Sequence, residues 1–132
     1  MAVMLRPLAP SDSLEALTAL LHCAYARLGA MGLNYTAVDQ SVETTRARFA
    51  SGQGFVIEDG GAPVGCVVVA GPFDAAKNPG TRRSPWYLRR DVAHLHQLAV
   101  DPAHQGRQLG NQLVAACEAW ARERGFRAIA LD

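Results

Sequence analysis

His94 and His96 alternate with Leu95 and Gln97 in the stretch "HLHQLAV", so on an extended strand the two imidazoles share one face. Histidine is the side chain whose charge changes near neutrality, and a pair placed this way can take a proton from a reacting group, directly or through water. Any reaction whose nucleophile must first lose a proton, an alkylammonium of pKa about 10.4 among them, could use that service. Two hydrogen-bonded strand residues without a chemical task would give the same sequence. With no acidic or cysteine partner nearby, the pair is a poor ligand set and no metal is expected.

The same strand runs into "DPAHQGRQLG". Asp101-Pro102 closes the strand, and a helix is expected to begin near Leu109. The first four amides of a helix have no partner inside it, and the aligned peptide dipoles place about half a positive charge at that end. A strand, a tight turn and such a terminus together form an anion site, with phosphate its usual occupant. Gly106 and Gly110 would let the backbone approach a ligand closely, and Gln105 and Arg107 add side-chain donors. The stretch is neither a Gly-Lys-Ser/Thr phosphate loop nor a GxGxxG dinucleotide fingerprint. Two glycines alone would equally describe an ordinary strand-to-helix connection.

The elements that must position these residues can be followed along the chain. "VMLRPL" predicts a first strand. Asp12 with Glu15 forms a capping-box pattern opening a helix over "DSLEALTALLHCAYARLG", in which Leu14, Leu17, Leu21, Ala24 and Leu28 recur at helical spacing. "SVETTRARFAS" predicts a second, more polar helix. "GFVIEDGGAPVGCVVVAG" predicts a hairpin around an Asp-Gly-Gly turn. The histidine strand "VAHLHQLAV" follows, then a helix with Leu109, Leu113, Cys117 and Trp120 on one stripe, ended by Gly125, and a last strand "FRAIALD". The order β-α-α-β-β-β-α-β predicts an α/β sandwich on a mixed sheet flanked by helices.

With those elements laid out, residues 98–132 resemble the acetyl-CoA-binding core of the GNAT superfamily of N-acetyltransferases. The signature Gln/Arg-x-x-Gly-x-Gly/Ala is matched by Gln105-Gly106-Arg107-Gln108-Leu109-Gly110, with Gln108 standing where the central glycine usually is. The resemblance follows the element order from about Met4 to Asp132 and is sharp over residues 94–131. It implies that the amides of Gln105, Gly106, Arg107, Gln108, Leu109, Gly110 and Asn111 hold the CoA pyrophosphate. It also implies that Leu98, Ala99 and Val100 pair with the pantetheine arm as with an added strand. "AHLHQLAV" is similar to the His-x-His strand of arylalkylamine N-acetyltransferases, and His94 falls where other members place a glutamate base. Tyr25, Tyr35 and "MGLNY" lie where the family often builds its acceptor wall. The resemblance ends at Asp132, which implies that the usual C-terminal helix and strand pair are absent. A shortened chain, a naturally abbreviated protein and completion by a second subunit are the competing explanations. The last strand would then lie near an open sheet edge, so the chain is expected to associate, as a homodimer.

Bulk composition bounds the rest. The 132 residues, 49% hydrophobic and 19% charged, suit one globular domain spanning 1–132. A net charge of +1 gives no field that selects nucleic acid, and the apolar runs are too short to span a bilayer. "MAVMLRPLAPSD" lacks the pattern of a signal peptide. Cys23, Cys66 and Cys117 are odd in number and widely spaced, which fits a reducing, cytoplasmic setting. All three are expected as core thiols. Residues 72–91 predict a long loop whose Lys77, Arg82, Arg83, Arg89 and Arg90, interleaved with Trp86 and Tyr87, face only Asp74 and Asp91. A solvated loop bordering an acceptor pocket is the plainer reading, and a grip on phosphate, an acidic acceptor or single-stranded nucleic acid the sharper one. The functional expectation is an N-acetyltransferase using acetyl-CoA as co-substrate to acylate a small primary amine. The alternatives are a non-catalytic acyl-CoA-binding or interaction module, and a peptide N-acetyltransferase whose basic loop docks an acidic substrate.

Overall fold

The structure, a computed structural model, describes residues 3–72 and 89–131. Its elements are β1 (Val3–Pro7), α1 (Leu14–Ala30), α2 (Val42–Ala50), β2 (Gln53–Asp59), β3 (Ala62–Ala70), β4 (Val92–Val100), α3 (Leu109–Glu123) and β5 (Ala128–Leu131). Two single 3₁₀ turns, Thr36–Val38 and Pro102–His104, interrupt the connections before α2 and α3. The expected β-α-α-β-β-β-α-β order therefore holds. The strands lie side by side in sequence order, antiparallel from β1 to β4, with β5 parallel to β4. A mixed sheet of this kind needs one crossover connection, which α3 provides.

Each face of the sheet has its own apolar layer. α3 places Leu109, Leu113, Cys117 and Ala121 against Ile57, Val67, Val69, Ala93 and Leu95. α1 and α2 place Leu17, Leu20, Leu21 and Phe49 against Val56, Cys66, Val68 and Ala99 on the other. β3 is buried along most of its length because it contributes to both layers, which explains its valine run. Full burial of a residue such as Leu113 contributes about 1.5–3 kcal/mol.

Several local expectations are corrected. Ser13, not Asp12, caps α1, its hydroxyl accepting from Ala16 N at 3.0 Å. The Asp12 carboxylate is already engaged: Arg6 donates to both its oxygens at 2.9 and 2.7 Å, and Ala9 N donates to one at 2.6 Å. Arg6 also reaches Glu58 at 3.1 Å, and its guanidinium holds the Asp12 carboxyl below its ordinary value. On α3 the fully buried stripe runs from Leu109 to Ala121, with Trp120 half-buried against the same cluster; its ring also stacks on Phe126, 5.9 Å away and 12° from parallel, with the Arg124 guanidinium 4.4 Å from its ring centre. Cys66 and Cys117 are buried as expected, but Cys23 is exposed on α1. Among the described residues, no helix is long and apolar enough to cross a membrane.

Candidate functional site

α3 starts without a side-chain cap. Its N-cap residue, Gln108, has φ 63° and ψ 23°, and its side chain makes no capping bond to the helix amides. Its carboxamide oxygen instead accepts from Asn111 Nδ2 at 3.2 Å. The connection into it is held by Asp101, which accepts Ala103 N on its carboxylate at 3.0 Å and His104 N on its carbonyl at 2.8 Å. His104 in turn lies 3.2 Å from the Asp59 carboxylate, tying this turn to the end of β2.

The two glycines of the motif are present for different reasons. Gly106 has φ 86°, a conformation that L side chains rarely adopt. Gly110 lies within the first turn of α3, and among the described residues a Cβ there would meet nothing nearer than Val100 Cγ2 at 3.9 Å. Neither backbone geometry nor packing calls for glycine at 110, and glycine there is less favourable than alanine by about 0.5–1 kcal/mol. What its missing side chain leaves open is a groove of about 520 Å³ lined by Leu98, Ala99, Val100, Gln105, Gly106, Gln108, Leu109, Gly110 and Asn111. Every residue expected at the CoA site lines this groove except Arg107, whose exposed side chain lies outside the lining.

β4 forms the other wall, and it is irregular where it does so. Its register with β3 shifts between the pairs Val68–His96 and Cys66–Ala99, so Gln97 and Leu98 together oppose Val67. One extra residue in a strand reverses the facing of everything after it. Ala93 and Leu95 face α3, as do Leu98 and Val100, while Ala99 joins the layer under α1. Asp101 N donates to Val64 O at 2.8 Å. Alternation from that pair turns the Ala99 amide towards β3 and the Leu98 and Val100 amides away from it. On that outer side β5 pairs only with Val92–Leu95. Among the described residues, the strand edge beyond Leu95 therefore faces the groove without a partner strand.

The two histidines share a face as expected, opposite Ala93 and Leu95. His94 is 0% exposed and His96 6%. His94 stands between Ala70 and Ala130 on the flanking strands, whose small side chains leave room for its ring. Nε2 of His96 lies 3.3 Å from the hydroxyl of Ser51. Among the described residues no cluster of three or more His, Cys, Asp or Glu could hold a metal ion. Of the basic loop, Asp74, Lys77, Arg82, Arg83, Trp86 and Tyr87 lie outside the described residues. Arg89 pairs with Asp91 at 2.7 Å.

Sequence reasoning missed what supports the irregular strand. Gln97 has φ 59°, and its Oε1 accepts from Gln40 Nε2 at 3.0 Å. Tyr25, expected at an acceptor wall, donates its hydroxyl to Leu98 O at 3.0 Å and leans 5.9 Å from the half-exposed Tyr35 ring. Contacts across 57 and 73 positions of sequence leave no local signal.

Known proteins match this arrangement. The profile of the acetyltransferase (GNAT) family matches residues 15–132. A GNAT family acetyltransferase from Brucella melitensis, solved in complex with acetyl-CoA, superposes with a TM-score of 0.72 at 19% identity, over 98% of this chain and 75% of that one. A GCN5-related N-acetyltransferase from Ralstonia eutropha JMP134 gives 0.66 at 24% identity, over 99% and 83%. An N-acetyltransferase from Staphylococcus aureus Mu50 gives 0.71 at 22%, over 99% and 73%. At these identities the likeness is one of fold. No curated protein sequence matches the chain.

Proposed function

The chain belongs to the acetyltransferase (GNAT) family, and from that membership and the groove beside α3 we propose that it transfers the acetyl group of acetyl-CoA to a small primary amine. The observation that carries this reading is Gly110: among the described residues no contact needs it, and its lack of a side chain leaves the helix terminus open to a bulky anion. The groove's volume falls within the range of small-molecule sites, roughly 300–1,000 Å³. Its lining suits acetyl-CoA in two ways. The uncapped amides of α3 and of the turn before it would take the diphosphate, and the outward groups of Leu98 and Val100 would pair with the pantetheine amides as an added strand does.

Both substrates would be held together, and the amine would attack the thioester carbon directly. A C–N bond forms, the C–S bond breaks, and the CoA thiolate departs. The Leu98 amide, turned outward where Ala99 is not, would polarise the carbonyl and stabilise the oxyanion. His94, with His96 behind it on the same face, would accept the amine proton. Because His94 is fully buried, that transfer runs through a water or a neighbouring polar group rather than by direct contact with bulk solvent.

Calorimetry with acetyl-CoA and a thiol-release assay over an amine panel test the proposal together. Gly110→Asp places a carboxylate at the diphosphate position and is expected to abolish binding; an unchanged affinity would refute the placement. His94→Ala is expected to lower turnover by about 10²–10⁴-fold with acetyl-CoA affinity retained. Tight binding with no turnover on any amine would favour the acyl-CoA-binding module instead.

A further inference from the structure

The bulge in β4 falls at a residue poorly suited to it. Gln97 takes φ 59°, the left-handed basin that glycine enters readily and that other residues occupy only when their surroundings hold them there. An ordinary side chain at the first position of a bulge settles near the right-handed helical basin, and the left-handed form is the glycine type. Something must therefore keep Gln97 in place.

The surroundings supply it. Gln40, 4% exposed, donates one Nε2 hydrogen to Gln97 Oε1 at 3.0 Å and the other to Thr45 Oγ1 at 2.9 Å. Thr45 lies 2.7 Å from the Thr18 hydroxyl, which reaches Leu14 O at 2.7 Å. Gln40 Nε2 and the Thr18 hydroxyl both donate to Thr45 Oγ1, and Thr45 donates to Ser41 O at 3.2 Å, which ties Gln40 to α1 and to the start of α2. Both hydrogens of the Gln40 amide are committed, so it cannot rotate without losing both bonds, the one to Thr45 buried and the one to Gln97 part-buried. The backbone carbonyl of Gln40 lies 2.7 Å from His22 Nε2. Cys66 Sγ and the Tyr25 hydroxyl hold the carbonyls of Gln97 and Leu98 at 3.4 and 3.0 Å.

We propose that Gln40 and Gln97 are a positioning pair for the transfer reaction: Gln40, anchored to α1 and α2, clamps Gln97 in the left-handed basin and so sets the bulge that turns the Leu98 and Val100 amides towards the acyl-CoA groove. The inference rests on the groove being the acyl-CoA site, as proposed above. Neither side chain is among those that line the groove. Their effect passes through the backbone of β4, so it reads out as acetyl-CoA affinity and as the backbone conformation at position 97.

The test uses the full chain and four variants. Gln40→Met and Gln97→Ala are each expected to weaken acetyl-CoA binding about five- to tenfold, the population penalty of an unclamped residue leaving the left-handed basin, while melting remains cooperative. Gln97→Gly lacks the same hydrogen bond as Gln97→Ala but favours positive φ, so it should bind more tightly than Gln97→Ala. Gln40→Met/Gln97→Gly should likewise recover most of what Gln40→Met loses. A merely structural bond would give no such recovery from glycine. Independently of any ligand, the strong amide–Hα NOE within residue 97 that marks positive φ should be present in the parent and lost in Gln40→Met. Persistence of that signal in Gln40→Met, or failure of glycine to restore binding, overturns the clamp. If the parent itself does not bind acetyl-CoA, the groove assignment falls, and the NOE comparison still decides the clamp.

Discussion

Gln108 and Gly110 sit two positions apart in the same turn and show opposite mismatches between residue and backbone. Gln108 occupies the left-handed basin without being glycine, and Gly110 is glycine in an ordinary helical turn. The first is strain within the chain, at a position where a glycine would sit without it. Gln108→Gly is expected to stabilise the protein by about 0.5–1 kcal/mol, the relief of left-handed strain less the greater entropy of an unfolded glycine. In thermal unfolding that is a rise of about 2–4 °C; a fall in melting temperature would show that the Gln108–Asn111 bond outweighs the strain. The cysteines differ at the same scale. Burial pushes the Cys66 and Cys117 thiols up to about 12, whereas Cys23 is exposed. Native protein treated with an alkylating reagent at mild alkaline pH should therefore take up one label, on Cys23, by mass spectrometry.

Among the elements, α1 and β4 are tied more closely than their separation in sequence implies. α1 packs its leucines under β4 and sends Tyr25 to Leu98, while the Gln40 segment before α2 reaches Gln97. A change at the start of α1 should propagate along this path. Ser13→Ala removes the cap and is expected to cost about 1 kcal/mol, read as a lower urea midpoint with unchanged slope. Asp12→Ala removes one of the two carboxylate partners of Arg6 and the acceptor of Ala9 N, but no cap. Its cost should be smaller, because the pair is part-exposed and screened; a larger loss than for Ser13→Ala would restore Asp12 as the cap.

Across the whole molecule, the titrating groups set both ends of the stability range. The Arg6 guanidinium depresses the Asp12 carboxyl, so the folded state holds that proton more weakly than the unfolded chain. The stabilisation is present above the ordinary value of 3.8 and is lost as pH falls through the depressed folded value. Cys66 shifts the other way: from its ordinary 9.0 towards about 12, the unfolded chain ionises first, so stability falls as pH rises through that window. Urea midpoints measured against pH should give a plateau between the two limbs, and Cys66→Ala should flatten the alkaline one. An alkaline limb unchanged by that substitution would place its origin elsewhere.

The sequence by itself determined the element order, the hairpin around Asp59-Gly60-Gly61, the apolar stripe from Leu109 to Cys117 and nearly all of the groove. These rest on periodicity, turn chemistry and a contiguous motif, which are local in the chain. Tertiary structure alone decided that Ser13 displaces Asp12 as cap, because Arg6 arrives from β1. It also decided that Cys23 faces solvent and that Gln97 adopts a positive φ. Each of these depends on a neighbour brought from another element, and composition and spacing carry no record of it. The same holds for the outward turn of the Leu98 amide: a one-residue bulge leaves the alternation of "HLHQLAV" intact on paper while reversing it in space.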